Sequence, residues 1–546
     1  MGILKKEGIS MKKAGRLFAL ALCGALLLSA CGSSGDGGSS SGNEGSTSQS
    51  TDVVAAVSLD FTTMDPVDTS DTLSGGIQRL IMDGMFGFDD DMNNIPMLAT
   101  GYTANDDATE YVLTLREGIS FTDGTPWDAA AAKANLDKLA DTSRGLKRTS
   151  LLGPIIDTVE ITGDYEVTVK LTQPFGAFIA TLAHPACVMM SPKVLEAGDA
   201  ECAAHPVGTG QYKFVEWESG HHLTVELNPD WWGYEAGLAD ADAGFKSVTF
   251  DVVTESSTRV SGVQSGDYQF IWPVPTESYQ TLESDSNVNV FSDEGIVVYY
   301  LCMNTQKAPF NDIRVRQAMN YAIDKDAYIE IIRNGLGTKA TSILGPAVAG
   351  YKKNEPIEAD LDKAKELLKE AGYENGFTIT QYYSSNSANE KTAQFMQQQL
   401  SQVGITVNLV GQESAITNAL IQDCTKPGSE AEVDIYHTGW SPSTGDADWA
   451  LRPLLASEMC PPANYNISYF ANEEYDNLIH AALETADQDE RNRLYAQAQD
   501  IVWAELPIVP LANSFNTWAT AKNMQNVKIY KDGAINIRNA KLAAGE

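Results

Sequence analysis

The spacing of hydrophobic and polar residues predicts alternating strands and helices along most of the chain. Runs of alternating or β-branched residues predict strands at 52–57, 111–115, 166–171, 222–227, 377–382 and 406–410. A polar loop is predicted at 68–74. Apolar residues three and four positions apart predict helices at 77–85, 127–140, 313–324, 361–371, 393–403, 473–485 and 489–506. Because strands alternate both with helices and with other strands, we predict an α/β fold with several mixed sheets.

Residues 436–449 combine small and polar side chains between Trp440 and Trp449. A short strand-like run at 433–436 precedes them, and their Gly and Pro residues predict a loop. Loops on a rigid scaffold often carry binding groups. Two indoles, several hydroxyls and two carboxylates suit a small zwitterionic ligand, whereas the alternative is a surface turn with one buried Trp. The pattern by itself leaves both interpretations open.

The N-terminal pattern predicts export. Basic residues after Met11 precede an apolar run at 17–28, which is too short to span a membrane and is typical of a signal-peptide core. Small residues before Cys31 resemble a lipoprotein signal, so we predict a signal peptide at 1–30 and diacylation of Cys31; an ordinary cleaved signal is the alternative. Residues 31–51, nearly all Gly and Ser, predict a flexible tether.

Two acyl chains hold a protein stably on a membrane surface. We therefore expect a lipid-anchored protein on the outer face of the plasma membrane, on the periplasmic side or on a Gram-positive cell surface. The chain after residue 30 carries 33 basic and 72 acidic residues, a formal charge of −39. This charge argues against nucleic-acid binding. It also means that an anionic ligand would need a local cluster of donors.

The chain contains few residue patterns that indicate a catalytic or metal site. Five cysteines follow Cys31, none in a CxxC pair, and His is scarce, so we predict no metal site. Cys187 and Cys202 are the nearest candidates for a disulfide. The chain has no GxSxG, HExxH, Walker or GxGxxG motif. We therefore predict neither an enzyme nor a bound cofactor.

Several ordered motifs resemble one family. Residues 63–66 (TMDP), 115–125 (LREGISFTDGT), 206–212 (PVGTGQY) and 310–318 (FNDIRVRQA) are similar to segments of the extracellular solute-binding proteins that deliver peptides and nickel to ABC importers. Gln211 replaces a Pro of the third motif. Within this family, the resemblance is closest to the glutathione-binding members, through residues 71–74, 146–148, 173–178, 182–185 and 439–451.

The resemblance implies a periplasmic-binding-protein-like clamp of two lobes, of type II with an extra inserted subdomain. The ligand would lie between the lobes, which close around it, and the loaded protein would dock on permease subunits. Lobe I would comprise residues 52–92, 206–306 and 507–546, with the inserted subdomain at 93–205 and lobe II at 307–506. We expect a monomer.

The resemblance also implies binding residues. Peptide-binding members have an Asp three residues after Trp440 that pairs with the ligand ammonium, but here Ser443 holds that position. We therefore predict that Asp446 contacts the ammonium, and that Arg148, with Lys147 as the alternative, binds a carboxylate through charge-assisted hydrogen bonds. The other residues expected in the cleft are Trp440, Trp449, Ser443, Thr444, Thr72, Ser74 and Tyr300.

The interpretation that follows is a receptor for glutathione or a related γ-glutamyl peptide. A receptor for other di- or oligopeptides is the first alternative, and a receptor for a nickel chelator is the second. An exported hydrolase is a further alternative, which the missing catalytic motifs disfavour.

Overall fold

Two long strands pair with each other in the middle of the largest sheet in the described part of the protein. The computed structural model describes residues 52–543, which belong to one compact unit, Gln49–Glu546. The strands of this part of the chain are β1 Asp52–Val57, β2 Phe86–Phe88, β3 Asn94–Pro96, β4 Ala99–Ala104, β5 Glu110–Leu115, β6 Ile156–Gly163, β7 Glu166–Leu171, β8 Tyr212–Glu218, β9 His222–Leu227, β10 Ser247–Val252, β11 Phe270–Trp272, β12 Val288–Met303, β13 Gly337–Lys339, β14 Phe377–Ser384, β15 Ile405–Gln412, β16 Ile435–Trp440, β17 Ile508–Ala521, β18 Met524–Gln525, β19 Lys528–Ile529, β20 Ile535–Asn536 and β21 Lys541–Leu542.

Helices lie between half of the consecutive pairs of these strands. In residues 52–543 they are α1 Thr72–Ile81, α2 Ala129–Ala140, α3 Thr149–Leu152, α4 Phe178–Leu182, α5 Pro192–Ala197, α6 Asp199–Ala204, α7 Ser256–Ser265, α8 Tyr279–Glu283, α9 Ile313–Ala322, α10 Lys325–Ile332, α11 Leu361–Glu370, α12 Ser387–Ser401, α13 Ser414–Ile421, α14 Asp448–Leu455, α15 Glu473–Leu483 and α16 Gln488–Glu505. None of the helices in the described residues is both long and apolar enough to cross a membrane.

The main sheet runs in the order β15-β14-β16-β12-β17-β11-β1-β10-β9-β8, and β13 adds to β17. Parallel pairs such as β14 with β15 and antiparallel pairs such as β12 with β17 occur in this one sheet. A second, antiparallel sheet has the order β4-β5-β7-β6. The predicted α/β class with mixed sheets is therefore confirmed. The lobe boundaries stay a prediction.

The pairing of β12 with β17 is discontinuous. The ladder runs through the first half of β12 as far as Glu294, is interrupted, and resumes at Val298. On the path through the sheet, β12 and β17 alone connect the β14–β16 group to the group around β1. Separate apolar cores pack on the two groups, one including Val53 and Phe250 and the other including Leu301 and Phe395.

Two helices begin earlier than the apolar pattern predicts. Asp71 caps α1 by accepting a hydrogen bond from the Ser74 N–H at 2.8 Å, so the helix starts at Thr72 inside the predicted polar loop. Asn386 caps α12 in the same way, and this helix starts at Ser387. In both helices the cap residue, rather than the first apolar residue, sets the start.

The loop predicted at 436–449 is shorter than expected. Residues up to Trp440 belong to β16, because they pair with β12 from Met303 to Val298. The helix α14 already begins at Asp448. The loop therefore spans residues 441–447, with one Trp at the end of a strand and the other in the first turn of a helix.

The disulfide candidate is wrong. Cys187 and Cys202 are both free and buried. They lie in different apolar cores, and the Cys202 thiol donates to the Val194 carbonyl at 3.6 Å. The predicted signal peptide, Cys31 and the Gly/Ser tether lie outside the described residues.

Candidate functional site

A cavity of about 870 Å³ opens where the start of α1, the turn before α3 and the segments around β16 and α14 face one another. Its lining includes four cationic side chains, three acidic side chains and two indoles: Arg79, Lys147, Arg148, Arg452, Asp71, Asp423, Asp532, Trp440 and Trp449. Cavities of this size, with a few convergent polar groups, are typical of ligand sites.

A second cavity of about 600 Å³ lies beside the stacked rings of Phe291 and Trp518. Both of its lysines, Lys528 and Lys531, already pair with aspartates. It offers no cation that still needs a partner within the described residues, so we take the larger cavity as the candidate site.

The cations of the site differ in whether the protein neutralises them. Arg79 pairs with Asp532 at 2.7 Å, and Arg452 forms a bidentate pair with Asp448 at 2.8 and 2.6 Å. Arg148 is half-buried, and its Nε donates to the Thr69 carbonyl at 2.6 Å. Within residues 52–543, no carboxylate lies at ion-pairing distance from this guanidinium.

Burial lowers the pKa of Arg148, because it penalises the charged form. The group is still a cation at neutral pH, since Arg stays protonated in proteins. Lys147 lies beside it on the exposed side, where its Nζ donates to the Asp68 carbonyl at 3.2 Å. The cavity thus holds a half-buried positive charge that the described protein does not pair.

Asp446 does not line this cavity. Its side chain is 1% exposed, and its Oδ1 lies 2.5 Å from Nη2 of Arg491, which is 2% exposed. The same oxygen accepts the Asp448 N–H at 2.9 Å. The prediction that Asp446 pairs with a ligand ammonium finds no support in this placement, because its charge is already compensated inside the protein.

Two other acids on the cavity have different surroundings. The Asp71 carboxylate is occupied by the Ser74 N–H at 2.8 Å and the Thr62 hydroxyl at 2.6 Å. Asp423 follows α13, is exposed, and forms no side-chain hydrogen bond or ion pair within the described residues. A ligand cation would meet the least competition at Asp423.

His184 connects two walls of the cavity. It is 4% exposed, and its Nε2 lies 2.9 Å from the hydroxyl of Ser443, in the loop after β16. Its Nδ1 accepts the Ala186 N–H at 3.0 Å. Burial, with further contributions from the positive Arg148 and Arg79, holds the pKa of His184 well below its ordinary range.

Six of the ten predicted binding residues line the cavity: Trp440, Trp449, Ser443, Arg148, Lys147 and Thr72. The Trp440 indole N–H donates to the Trp449 backbone carbonyl at 2.5 Å, which holds the Trp440 ring against the first turn of α14. The Trp440 ring also packs against Tyr465, with ring centroids 5.1 Å apart.

The other three predicted residues besides Asp446 are buried elsewhere. Ser74 accepts the Thr62 N–H at 3.0 Å, and Thr444 accepts the Asp446 N–H at 3.4 Å. Tyr300 is 2% exposed in an apolar core, where burial raises its pKa well above the usual value. These three side chains are buried in the protein interior and do not line the cavity.

Sequence reasoning missed several residues of the cavity, among them Arg79, His184, Asp423, Arg452 and Tyr465. His184 lies in the segment 182–185 that carried part of the resemblance, so a signal existed. Arg79 and Asp532 are 453 positions apart, and no local pattern points to their contact.

One group of potential metal ligands, Asp65, Asp199 and Cys202, has its ligand atoms within 4.8 Å of one another. The Lys138 Nζ lies 2.6 Å from Asp65 and 3.5 Å from Asp199. The ammonium group supplies the positive charge that this acidic pair needs, so the cluster forms an internal ion-pair network.

Comparisons with known sequences agree with one another. The profile described as "Bacterial extracellular solute-binding proteins, family 5 Middle" matches residues 93–459, about two thirds of the chain. The glutathione-binding protein GsiB of Salmonella paratyphi A is 40% identical over 492 residues, which cover 90% of this chain and 94% of GsiB. GsiB of Escherichia coli O157:H7 is also 40% identical over 492 residues, with the same coverage.

Solved structures show the same fold. The periplasmic binding protein DppA from Helicobacter pylori, in complex with the peptide STSA, superposes with a TM-score of 0.72 at 28% identity; the match covers 90% of this chain and 98% of DppA. HbpA2 from Haemophilus parasuis gives a TM-score of 0.79 at 24% identity and covers 90% of this chain and 100% of HbpA2, a likeness of fold alone.

Proposed function

The chain belongs to family 5 of the bacterial extracellular solute-binding proteins, and from that premise we propose that it captures glutathione or a related γ-glutamyl peptide. It is a solute-binding protein of an ABC importer, it acts in the extracellular or periplasmic space, and it is a binding protein rather than an enzyme. The importer would receive the loaded protein on its outer side.

The observation that carries the proposal is the Arg148 guanidinium. A charge that becomes buried under a ligand must be paired and hydrogen-bonded, and no carboxylate of residues 52–543 pairs with this one. Glutathione carries two carboxylates and one ammonium. The planar guanidinium of Arg binds a carboxylate through two parallel hydrogen bonds. A ligand carboxylate would therefore supply the ion-pair partner that Arg148 lacks in the described protein.

The rest of the cavity suits the same ligand. Its volume of about 870 Å³ admits a small peptide, and Asp423 offers an uncompensated acid for the ammonium. The amides would meet polar groups such as Ser441 and Asn464, which also line the cavity. The likeness to GsiB, at 40% identity over most of both chains, supports glutathione over the other ligands of the family.

Calorimetry on ligand-stripped protein tests the proposal, with reduced glutathione, glutathione disulfide, a plain tripeptide and a nickel chelate as ligands. We expect binding of at least one glutathione form, and tighter binding than that of the plain tripeptide. A folded protein that binds the tripeptide or the chelate and neither glutathione form refutes the proposal. The H. pylori DppA complex makes a peptide the first alternative to examine.

An Arg148→Gln variant tests the site. We expect a loss of about 2–4 kcal/mol, or about 30- to 1,000-fold in affinity, because a charge-assisted pair is removed. Arg144→Gln is a matched control from the same segment, since Arg144 pairs with Asp199 and does not line the cavity. Equal affinities of the two variants would contradict the role of Arg148.

We further propose that Cys31 is diacylated and anchors the protein through the tether at 31–51. The basic start, apolar run and small residues before Cys31 support this. Mass spectrometry of the N-terminal peptide would detect the lipid, and Cys31→Ser should release the protein from the membrane fraction. A Cys31→Ser protein that stays membrane-bound, like the unchanged chain, argues against the anchor.

A further inference from the structure

The His184–Ser443 contact fixes the direction of one hydrogen bond at the cavity. The Ala186 backbone N–H reaches Nδ1 of His184 at 3.0 Å. A backbone N–H can only donate, so Nδ1 must carry a lone pair. In the neutral imidazole the single proton is then on Nε2.

This tautomer determines what Ser443 does. The Nε2–H donates to the Ser443 oxygen at 2.9 Å, so the hydroxyl receives a proton from the ring and does not give one to it. No protein acceptor of the Ser443 hydroxyl occurs among the described residues. Ser443 is half-buried and lines the cavity. Its own O–H is therefore available to a ligand acceptor.

Two guanidinium groups lie near this hydroxyl. Arg148 and Arg79 both act on the His184 ring as positive charges, and Arg79 is neutralised by Asp532. Asp71 also lines this wall and acts on Arg148 as a negative charge, but it does not pair with Arg148, and its two oxygens already accept hydrogen bonds from the Ser74 N–H and the Thr62 hydroxyl. A neutral donor and an unpaired guanidinium remain, which together attract a carboxylate and repel an ammonium.

We propose that His184 is a positioning residue that holds Ser443 as a donor, and that Ser443 and Arg148 form a carboxylate subsite for the ligand. This inference rests on the proposed function and deepens it, because it states which chemical group of the ligand faces this wall. A γ-glutamyl peptide provides two such groups: the α-carboxylate of its first residue and its C-terminal carboxylate.

The test combines protein variants with two ligand analogues. 4-Aminobutanoyl-cysteinylglycine lacks only the α-carboxylate of glutathione, and glutathione glycinamide lacks only the terminal charge. Ser443→Ala should weaken glutathione binding about 10- to 100-fold, the range for losing a hydrogen bond to a charged group. With the analogue that lacks the contacted carboxylate, Ser443→Ala should bind as well as the unchanged protein.

Two substitutions of His184 separate positioning from packing. A Gln amide nitrogen can replace Nε2 as the donor to Ser443, so His184→Gln should keep an affinity within about threefold of the unchanged protein. An Asn side chain replaces only Nδ1, so His184→Asn should lose affinity as Ser443→Ala does. In the double variant, His184→Asn with Ser443→Ala, the two losses should not add.

The outcomes of these experiments test both the proposed function and the carboxylate subsite. An unchanged protein that binds no form of glutathione overturns the proposed function and the subsite with it. An unchanged protein that binds glutathione, together with a Ser443→Ala loss that persists for both analogues, overturns the subsite alone. Losses that add in the double variant also overturn it. Because Ser443→Ala is a small change at a half-buried position, it gives an answer even if His184→Asn does not fold.

Discussion

Asp446→Asn should cost stability rather than affinity. The Asp446–Arg491 pair is closed off from solvent, with side-chain exposures of 1% and 2%. Arg491 also donates to the Gly176 carbonyl at 2.8 Å, so it joins the loop after β16 to a segment that lies 315 positions before Arg491 in the chain. Removing the charge of Asp446 leaves the buried guanidinium without its partner, because Asp448, a second carboxylate that acts on it, already pairs with Arg452.

The structure sets the size of the effect. Breaking a buried pair by neutralising one partner costs about 3–5 kcal/mol. Nε of Arg491 and Oδ2 of Asp446 already lack hydrogen-bond partners, so no neighbour is placed to take over the lost contact. An unfolding entropy of about 2.1 cal/mol/K per residue gives about 1 kcal/mol/K for a body of about 490 residues. The Tm should therefore fall by about 3–5 °C.

Thermal melts followed by circular dichroism, with calorimetry at a temperature well below the transition, measure the two quantities separately. Glu490→Gln is the matched control, because Glu490 pairs with Arg493 on the same helix as Arg491 but in an exposed position. Its Tm should equal that of the unchanged protein. Adding Arg491→Met to Asp446→Asn should recover part of the loss, since the uncompensated charge is then gone.

A particular result would refute this reasoning. If Asp446→Asn melts within 1 °C of the unchanged protein while its affinity for glutathione falls by about 30-fold or more, the carboxylate binds ligand. The ammonium contact predicted from the sequence would then be correct.

Two further predictions concern a charge and a proton. Asp423→Asn should weaken glutathione binding about 10-fold but leave the binding of glutaryl-cysteinylglycine, which lacks the ammonium, unchanged. Calorimetry with both ligands measures this difference. An equal loss of affinity for both ligands would contradict a contact between Asp423 and the ammonium. Burial, with a smaller contribution from Arg333, lowers the pKa of His437 to about 4. The unfolded chain binds that proton near pH 6.5, so stability should fall by up to about 3 kcal/mol as the pH drops from 6.5 to 4. His437→Gln should lose its share of this dependence in melts across the same range, while the share from the buried His184 remains. A constant difference between the two proteins would contradict the prediction.

The elements that the apolar pattern predicted are mostly placed correctly, but many others, including the two longest strands, β12 and β17, were not predicted. Strands such as β7 and β9 occupy the predicted residues, because a sheet with one buried face requires alternation. Among the predicted elements, the errors lie mainly at the ends. A capping residue such as Asp71, or pairing with a distant strand as in β16, sets the boundary there. Apolar periodicity contains no information about either of these contacts.

The family resemblance drawn from segments such as 115–125 is confirmed by the match over residues 93–459. It located the cavity wall around Arg148 and Ser443. It did not locate the partners of the charges. The Asp446–Arg491 contact joins residues 45 positions apart, and its existence depends on how α16 packs against the loop after β16. A sequence lists the charged groups, but which of them neutralise one another follows from the packing.

The interruption between Glu294 and Val298 in the β12–β17 ladder has a mechanical consequence. Within residues 52–543, these two strands form the connection along the sheet between the β14–β16 group and the β1 group. A ladder that is interrupted between Glu294 and Val298, and shifts register again between Tyr299 and Tyr300, should bend more easily there than along its continuous part before Glu294. Bending of the sheet should therefore concentrate there. The Ile296 N–H donates to the Lys531 carbonyl at 3.0 Å, but the other amides between Glu294 and Val298 should exchange with solvent deuterium faster than those of the ladder before Glu294.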